Sequence, residues 1–528
     1  MCEPLPPPKS STLSSGDTGR RRRNISPLFA RAFREALRTA CFSKLRTLTL
    51  CLFDSSEQVP THREAHFPAV RVASIVGCKQ CALDASHVGI IQLTVMTNSK
   101  FWALCGIVLL TALLLRFGAV LAARPWSEQY ERLYLFADAR TYHDLAITFR
   151  EEGITEHFRN KTIVYAPGYP IMLGIVYKLC GVSLTASLLT NAIISVLTCG
   201  IIMLAVRRAF NEKVALASGL LFALHPHSVR FVCMLYSETL FMLLCSVFIL
   251  ILQYIPSQDK RWTLWLVMGG LVATLGTFVR ISMLYFSVIS ILVWLLTRKT
   301  NKIYFIKNFV LFLLAYFIFL CPWMIHNKIH YGTFRLSASG EYNLLAITVA
   351  GAKTDDIDEF HRIRQELLQT ASHRAGKSGA RNNFERSKYF LEVAFEEISK
   401  EPAQFILSIF KGFYHFWFRV SQAESSRLAE LRESDPKTFY YVVYSYLFQT
   451  LLLLTWVASL LAIEKVPISW KVLSAVAFIY FASTVGNAAY SRFFLQALPY
   501  IVPVAAASTV VLYEWSRRLI TERLHRCS

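Results

Sequence analysis

The stretch FWALCGIVLLTALLLRFGAVLA (101–122) decides the class of this chain. From Phe101 to Ala122 it carries one charge, Arg116, and no proline. At about 1.5 Å of rise per helical residue, it is long enough to cross the ~30 Å hydrocarbon core of a bilayer. Comparable apolar runs recur at 184–206, 214–230, 238–255, 263–279, 281–297, 304–324, 439–462, 469–487 and 494–514. Two others, 167–182 and 403–420, are shorter or interrupted.

The composition agrees with this first stretch. Of 528 residues 54% are hydrophobic and 17% charged, against about 25% charged in soluble globular proteins. Soluble, disordered, collagen-like and disulfide-rich secreted classes are excluded. The net charge of +21 would suggest nucleic acid on a soluble protein. Here the basic residues flank apolar runs, so the expected partners are membrane lipids and not nucleic acid. The fold expected is an all-α polytopic membrane protein of about ten transmembrane helices, up to twelve, with juxtamembrane helices and two large outer-face loops.

Basic clusters orient the spans. Arg207, Arg208 and Lys213, then Lys260 and Arg261, then Arg298, Lys299 and Lys302, and finally Arg517 and Arg518 all fall on the cytoplasmic side when the spans number ten. Counting 167–182 as a further span would put Arg207 and Arg208 outside, so 167–182 and 403–420 are expected to be juxtamembrane or re-entrant. Two non-cytoplasmic segments result, 123–183 and 325–438. Mixed charge in the second (Asp355, Asp356, Asp358 and Glu359 against Arg362 and Arg364) suits solvated helices.

Four regions follow. Residues 1–95 form a basic N-terminal extension, Pro- and Ser-rich, with Arg20–Arg23 and an imperfect amphipathic stretch at Leu28–Leu52. Met96 stands just before the first span and is the expected initiator, with 1–95 dispensable or non-native. The alternative is a cytoplasmic tail or targeting segment. Residues 96–324 form a transmembrane catalytic module that includes the outer loop 123–183. Residues 325–438 form an outer-face loop domain, and 439–528 the C-terminal transmembrane helices. Cysteines are scattered, and Cys78-x-x-Cys81 lacks the second pair that a zinc site needs.

Charge at membrane depth costs about 2.5–3.5 kcal/mol per residue, so each instance is a site candidate. Arg116, near the outer end of the first span, is expected to snorkel to the interface. Asp138 lies in FADARTYHDLA (136–146), where helical spacing puts Asp138, Thr141, Tyr142 and Leu145 on one face. An acid in this position is also a natural helix cap or dipole partner. Glu238 opens the fourth span in YSETLF (236–241), and the ten-span count puts it on the same membrane face as Asp138. Arg280 separates two apolar runs, and Arg492 precedes the last span. Two carboxylates and two arginines then converge, a pocket for an anionic lipid headgroup beside a group that removes a proton. Pro167-Gly168-Tyr169-Pro170 is a rigid turn. Pro322-Trp323 is expected to end the seventh span, with Trp323 at the interface and His326 either a phosphate contact or an interfacial histidine. Asn160-Lys161-Thr162 is a glycosylation acceptor sequence, relevant in a secretory-pathway organism.

In this order, Asp138-Ala-Arg-Thr-Tyr142-His143 with Ala146, Pro167-Gly-Tyr169-Pro170, Ser237-Glu238 and Arg280 resemble the membrane glycosyltransferases of the C superfamily. PWMIHN (322–327), followed by Gly332, Phe334, Ser337, Gly340, Asn343 and Leu344, and Arg492 near Pro499 complete the set. The chain is similar to the bacterial branch related to protein O-mannosyltransferases and lipid A aminoarabinose transferase, over about residues 96–514. The resemblance implies sugar transfer from a polyprenyl-phosphate donor to a lipid, glycan or protein acceptor, outside the bacterial inner membrane. It implies Asp138 and Glu238 as acidic catalytic-site residues, with Asp138 the base and Glu238 orienting the acceptor, holding an arginine or joining a metal site. Arg280, Arg492 and His326 are expected at the donor phosphate, and Tyr142, His143, Tyr169 and Asn343 along the pocket. A divalent cation is compatible with this set, but no His/Asp cluster demands one. Two departures stand out. His326 occupies a position that is usually Arg, and Asp138 lacks an adjacent acidic partner.

The competing reading is a lipid or solute transporter without chemistry. Large outer loops and the lack of a visible repeat weigh against it.

Overall fold

A computed structural model describes residues 98–160, 166–255, 262–298, 301–421, 435–464 and 466–527. All of them belong to one structural unit. The N-terminal extension with Met96 and the Cys78/Cys81 pair lies outside them, as do Lys260, Arg261, Lys299 and the Lys161-Thr162 half of the acceptor sequence. Every regular element among the described residues is helical.

The chain begins with α1 (Asn98–Ala123), α2 (Glu128–Tyr134), α3 (Ala137–Asn160) and α4 (Gly168–Cys180). Next come α5 (Leu184–Ala209), α6 (Glu212–Leu224), the short α7 (Pro226–Arg230), α8 (Glu238–Leu252), α9 (Trp262–Val279), α10 (Met283–Leu296) and α11 (Lys302–Tyr331). The outer segment holds α12 (Ser339–Asn343), a π-helical turn at Leu344–Val349, α13 (Ala350–Lys353), α14 (Ile357–Lys377), α15 (Asn383–Lys400) and α16 (Pro402–Phe418). The chain closes with α17 (Pro436–Leu461), α18 (Ile468–Ser483), a 3-10 turn at Gly486–Ala488, the one-turn α19 (Ser491–Phe494) and α20 (Leu498–Cys527). Helix starts follow side-chain caps, with Ser127, Ser183, Asn211, Asp356, Asn382 and Asp435 each accepting a backbone N–H of the first turn.

Burial is inverted relative to a soluble bundle. On α1, Cys105, Val108, Ala112, Arg116 and Val120 recur every three or four residues and face inward, while Ile107, Leu110, Leu114 and Leu121 are exposed. On α11, Ile303, Ile306, Val310, Leu314 and Ile318 are exposed in the same way. Apolar faces of this extent belong against lipid.

Among the described residues six helices are long and apolar enough to cross a membrane: α1, α5, α9, α11, α17 and α20. Four of the ten expected spans, α6, α8, α10 and α18, hold 13, 15, 14 and 16 residues. That is about 20–24 Å of helix. α4, expected to be juxtamembrane, has 13 residues as well, so helix length alone does not separate it from α6. The run 214–230 is broken because Pro226 cannot continue α6 and starts α7 instead.

The helix that carries the seventh apolar run continues through Pro322: α11 runs on to Tyr331, where Gly332 in the left-handed region (φ 74°) stops it. One further expectation is corrected. Arg116 does not snorkel. It is fully buried, and its guanidinium donates to Ser195 Oγ (2.7 Å), Ser228 Oγ (3.0 Å) and the carbonyls of Ala112, Phe222 and Ala223. It ties α1 and α5 to the C-terminal end of α6, where unpaired carbonyls attract a cation.

In the outer segment the mixed charges pair along exposed helix faces: Arg362 with Glu359 and Glu366, and Arg374 with Glu396 through both guanidinium nitrogens. Such pairs contribute little each.

Candidate active site

Four helix ends converge at one place. Asp138 lies in the first turn of α3, Glu238 opens α8, Arg280 sits between α9 and α10, and Arg492 is on α19. Both carboxylates are thus at helix N-termini, which favour negative charge.

Arg492 bridges them. Its Nη1 donates to Asp138 Oδ2 at 2.7 Å and its Nε to Glu238 Oε1 at 2.5 Å. Arg280 Nη1 donates to the same Glu238 oxygen (2.5 Å) and to Ser237 Oγ (3.1 Å). The ring of Tyr236 lies against the Arg492 guanidinium, 4.0 Å from its centroid. Glu238 Oε2 is buried without a hydrogen-bond partner, an arrangement that costs about 1–3 kcal/mol and marks a place for another donor.

Exposure divides the four. The Glu238 side chain is 0% exposed and that of Arg492 8%, whereas Arg280 shows 17% and Asp138 31%. Asp138 and Arg280 are the partly exposed pair; Glu238 and Arg492 are buried. The positive charge between the two carboxylates comes from Arg492. Among the described residues no three His, Cys, Asp or Glu side chains group as a metal site.

Tyr142 and Tyr169 stand beside the charges. Their rings meet edge to face at 5.2 Å, and the Tyr142 hydroxyl reaches Ser237 Oγ at 3.5 Å. Burial first, and then Asp138, push the Tyr142 phenol up to about 12, so it remains a donor. Asn191 Nδ2 donates to the Tyr169 oxygen (3.1 Å) and to the Met234 carbonyl (3.0 Å). The turn at Pro167 does more than bend the chain. A Cβ on Gly168 would sit 2.8 Å from the Phe278 carbonyl oxygen, so only glycine lets α4 approach α9 two residues before Arg280.

Three further expected site residues lie on α3, α11 and α12. His143 Nδ1 lies 2.7 Å from the Tyr177 hydroxyl, and burial lowers its pKa. His326 stacks on Trp323 at 5.1 Å and approaches His330 at 4.4 Å. Asn343 is exposed at the end of α12. Trp323 donates to the Leu336 carbonyl and Asn327 to the Arg335 carbonyl, so the PWMIHN motif pins the chain that leaves α11. Tyr236 had no functional expectation attached; an aromatic two residues before a buried acid was the available signal.

Residues 164–326 match the model of the dolichyl-phosphate-mannose-protein mannosyltransferase family. The match covers Tyr169, Glu238, Arg280 and His326 and leaves out Asp138 and Arg492. No curated protein matches. Among solved structures the chain is similar to the archaeal oligosaccharyltransferase AglB from Archaeoglobus fulgidus, in complex with an inhibitory peptide and a dolichol-phosphate. That likeness has 13% identity and a TM-score of 0.45, over 81% of this chain and 52% of that one. ArnT from Cupriavidus metallidurans bound to undecaprenyl phosphate aligns with 13% identity and a TM-score of 0.38, over 78% of this chain and 77% of that one. The chain spans about half the length of the oligosaccharyltransferase, and neither likeness assigns a residue here. The family match relates residues 164–326 of this polytopic chain to the dolichyl-phosphate-mannose-protein mannosyltransferases.

Proposed function

We propose that the protein transfers a sugar from a polyprenyl-phosphate donor to a lipid, glycan or protein acceptor at the non-cytoplasmic face of a bacterial inner membrane. The observation that carries this reading is the buried cluster in which one carboxylate, Asp138, and one guanidinium, Arg280, stay partly exposed.

Asp138 takes the proton of the acceptor hydroxyl as its oxygen attacks the anomeric carbon, a role worth about 10²–10⁴-fold. The bond between that carbon and the phosphate oxygen breaks, and polyprenyl phosphate leaves. Arg280 neutralises the departing phosphate through its planar fork. Glu238 and Arg492 hold Arg280 and Asp138 in place, and the Tyr142 hydroxyl is at hand as a neutral donor.

The test uses purified protein, wild type beside Asp138→Asn, with a panel of polyprenyl-phosphate sugars and candidate acceptors. Release of free polyprenyl phosphate is followed. Turnover that collapses in the variant supports the reading. Equal turnover in both moves the base away from Asp138, and binding of donor without any release favours a transporter.

A further inference from the structure

Arg492 sits on a one-turn helix, and such a short element does not hold a bridging guanidinium by itself. What holds it lies outside the cluster. Asn487, five residues upstream in the 3-10 turn, is 3% exposed. Its Nδ2 faces three acceptors of the outer segment: the Gly351 carbonyl at 2.8 Å, the Thr354 carbonyl at 3.3 Å and Asp355 Oδ1 at 2.7 Å. Three acceptors around one amide nitrogen fix its orientation. Lys411 of α16 holds the other Asp355 oxygen at 3.0 Å.

The Asn487 backbone is held as well. Its carbonyl accepts from His415 Nδ1 (3.0 Å) and from Arg419 Nη1 (3.1 Å). Arg419 Nη2 lies 3.2 Å from His415 Nε2, so Nε2 accepts, Nδ1 carries the proton and the imidazole is neutral. Two close approaches clamp the turn. A Cβ on Gly412 would lie 2.4 Å from the Gly486 carbonyl oxygen, and one on Gly351 would lie 3.1 Å from Ala488 Cβ. Past the turn, Ser491 N donates to the Arg419 carbonyl (2.7 Å) and Ser491 Oγ to the Val420 carbonyl (2.6 Å), one residue before Arg492.

We infer that Asn487 is a positioning residue for Arg492: with Asp355, His415 and Arg419 it latches the 486–491 segment between the outer segment and α16, and so sets the guanidinium that bridges Asp138 and Glu238. The catalytic half rests on the proposed role of that cluster; the latch itself does not. A cavity of about 220 Å³ between Lys353, Asp355, Gln404, Lys411 and Asn487 makes acceptor docking the rival role for the same residues.

The experiment compares full-length wild type with Asn487→Asp, which keeps the size but turns the donor into an acceptor, and with Asp355→Asn and Asp355→Ala. Asp355 is 58% exposed, so both of its variants are expected to fold even if Asn487→Asp does not. Asp355→Asn keeps an acceptor for Asn487 and retains activity, whereas Asp355→Ala loses it. Misplacing a catalytic group by about 1 Å costs about 10²-fold. Asn487→Asp is therefore expected to lower kcat by about that factor, with acceptor KM within about twofold of wild type. Hydrogen exchange of peptide 488–494 rises in Asn487→Asp and Asp355→Ala, while that of peptide 101–120 does not change. A loss confined to acceptor KM, or equal loss in Asp355→Asn and Asp355→Ala, assigns these residues to acceptor binding and overturns the inference. Unchanged exchange at 488–494 overturns it whatever the kinetics show. If wild type releases no polyprenyl phosphate from any donor, the proposed function fails, and the exchange measurement still decides the latch.

Discussion

Arg492 Nη1 lies 2.7 Å from Asp138 Oδ2, although 354 positions separate the two residues in the chain. The contact joins the start of α3 to the turn before the last apolar helix. Both charges reach Glu238 or its partners, so four segments depend on one network. Breaking a buried pair leaves an uncompensated charge, which is more damaging than replacing the whole pair.

The two arginines should separate by kinetics. Arg280 is partly exposed and Arg492 is buried. A charge-assisted hydrogen bond is worth about 1.5–3 kcal/mol, and lysine lacks the planar fork. Arg280→Lys is expected to raise donor KM by about tenfold or more, with a smaller change in kcat. Arg492→Lys should act mainly on kcat, because it displaces Asp138 and Glu238. Steady-state kinetics with varied donor checks this. Identical effects of both variants on donor KM would merge the roles.

Glu238→Gln should be the most destabilising isosteric change in the cluster. The carboxylate is fully buried and receives both arginines. Its neutralisation is expected to cost about 3–5 kcal/mol. Asp138→Asn should cost less, because Asp138 is partly solvated and has one arginine partner. Thermal unfolding midpoints in detergent, with ligand absent, should follow that order.

Gly168→Ala tests whether the close approach of α4 to α9 matters to the site. The added methyl meets backbone, which cannot rotate away, and overpacking of this kind costs about 1–3 kcal/mol. Activity should fall although no charge is removed, since Phe278 lies two residues from Arg280. Gly200→Ala is the control: its nearest neighbour would be Leu109 Cδ2 at 3.7 Å. Inside a helix that change is expected to be neutral or stabilising by up to about 1 kcal/mol.

Much of this was legible in the sequence for a simple reason. Span-length apolar runs announce themselves, and once they are counted, Asp138, Glu238, Arg280 and Arg492 must fall on one face. Which of the four would touch was not legible, because a pairing across 354 positions leaves no local trace. Arg116 was misjudged for the same reason. Its acceptors are two hydroxyls and three carbonyls, and backbone carbonyls have no sequence signature. The contact of His143 with Tyr177, 34 positions on, leaves no local trace either.

The Arg116 site makes its own prediction. All of its acceptors are neutral, so Arg116→Met leaves no stranded counter-ion, only unpaired oxygens at about 1–3 kcal/mol for each that finds no new partner. Arg116→Lys keeps a buried charge but offers three donors where the fork offered five. Lys is therefore expected to be at least as destabilising as Met, the reverse of what charge conservation suggests. Unfolding midpoints of the two variants settle the order.

Acid should loosen the latch at Asn487, through His415. This histidine belongs to α16, outside the span-length helices, and burial, followed by Arg419, lowers its pKa. Four neighbours bear on the sign. Arg419 and Lys411 oppose the imidazolium; Asp355 and the bond to the Asn487 carbonyl favour it, and the lowering prevails. A histidine whose folded pKa lies below its unfolded value of about 6.5 costs nothing at pH 8. It destabilises the fold as pH drops through 6.5 toward the folded value, because the unfolded chain binds the proton first. Protonation also puts a hydrogen on Nε2, against Arg419 Nη2. Exchange of peptide 486–491, corrected for intrinsic rates, is thus expected to rise between pH 7.5 and 5.5. His415→Asn places an amide donor near the Nδ1 position without a titrating group, so the variant should keep the latch and lose its pH dependence. The same pH dependence in wild type and variant would mean that another group titrates there.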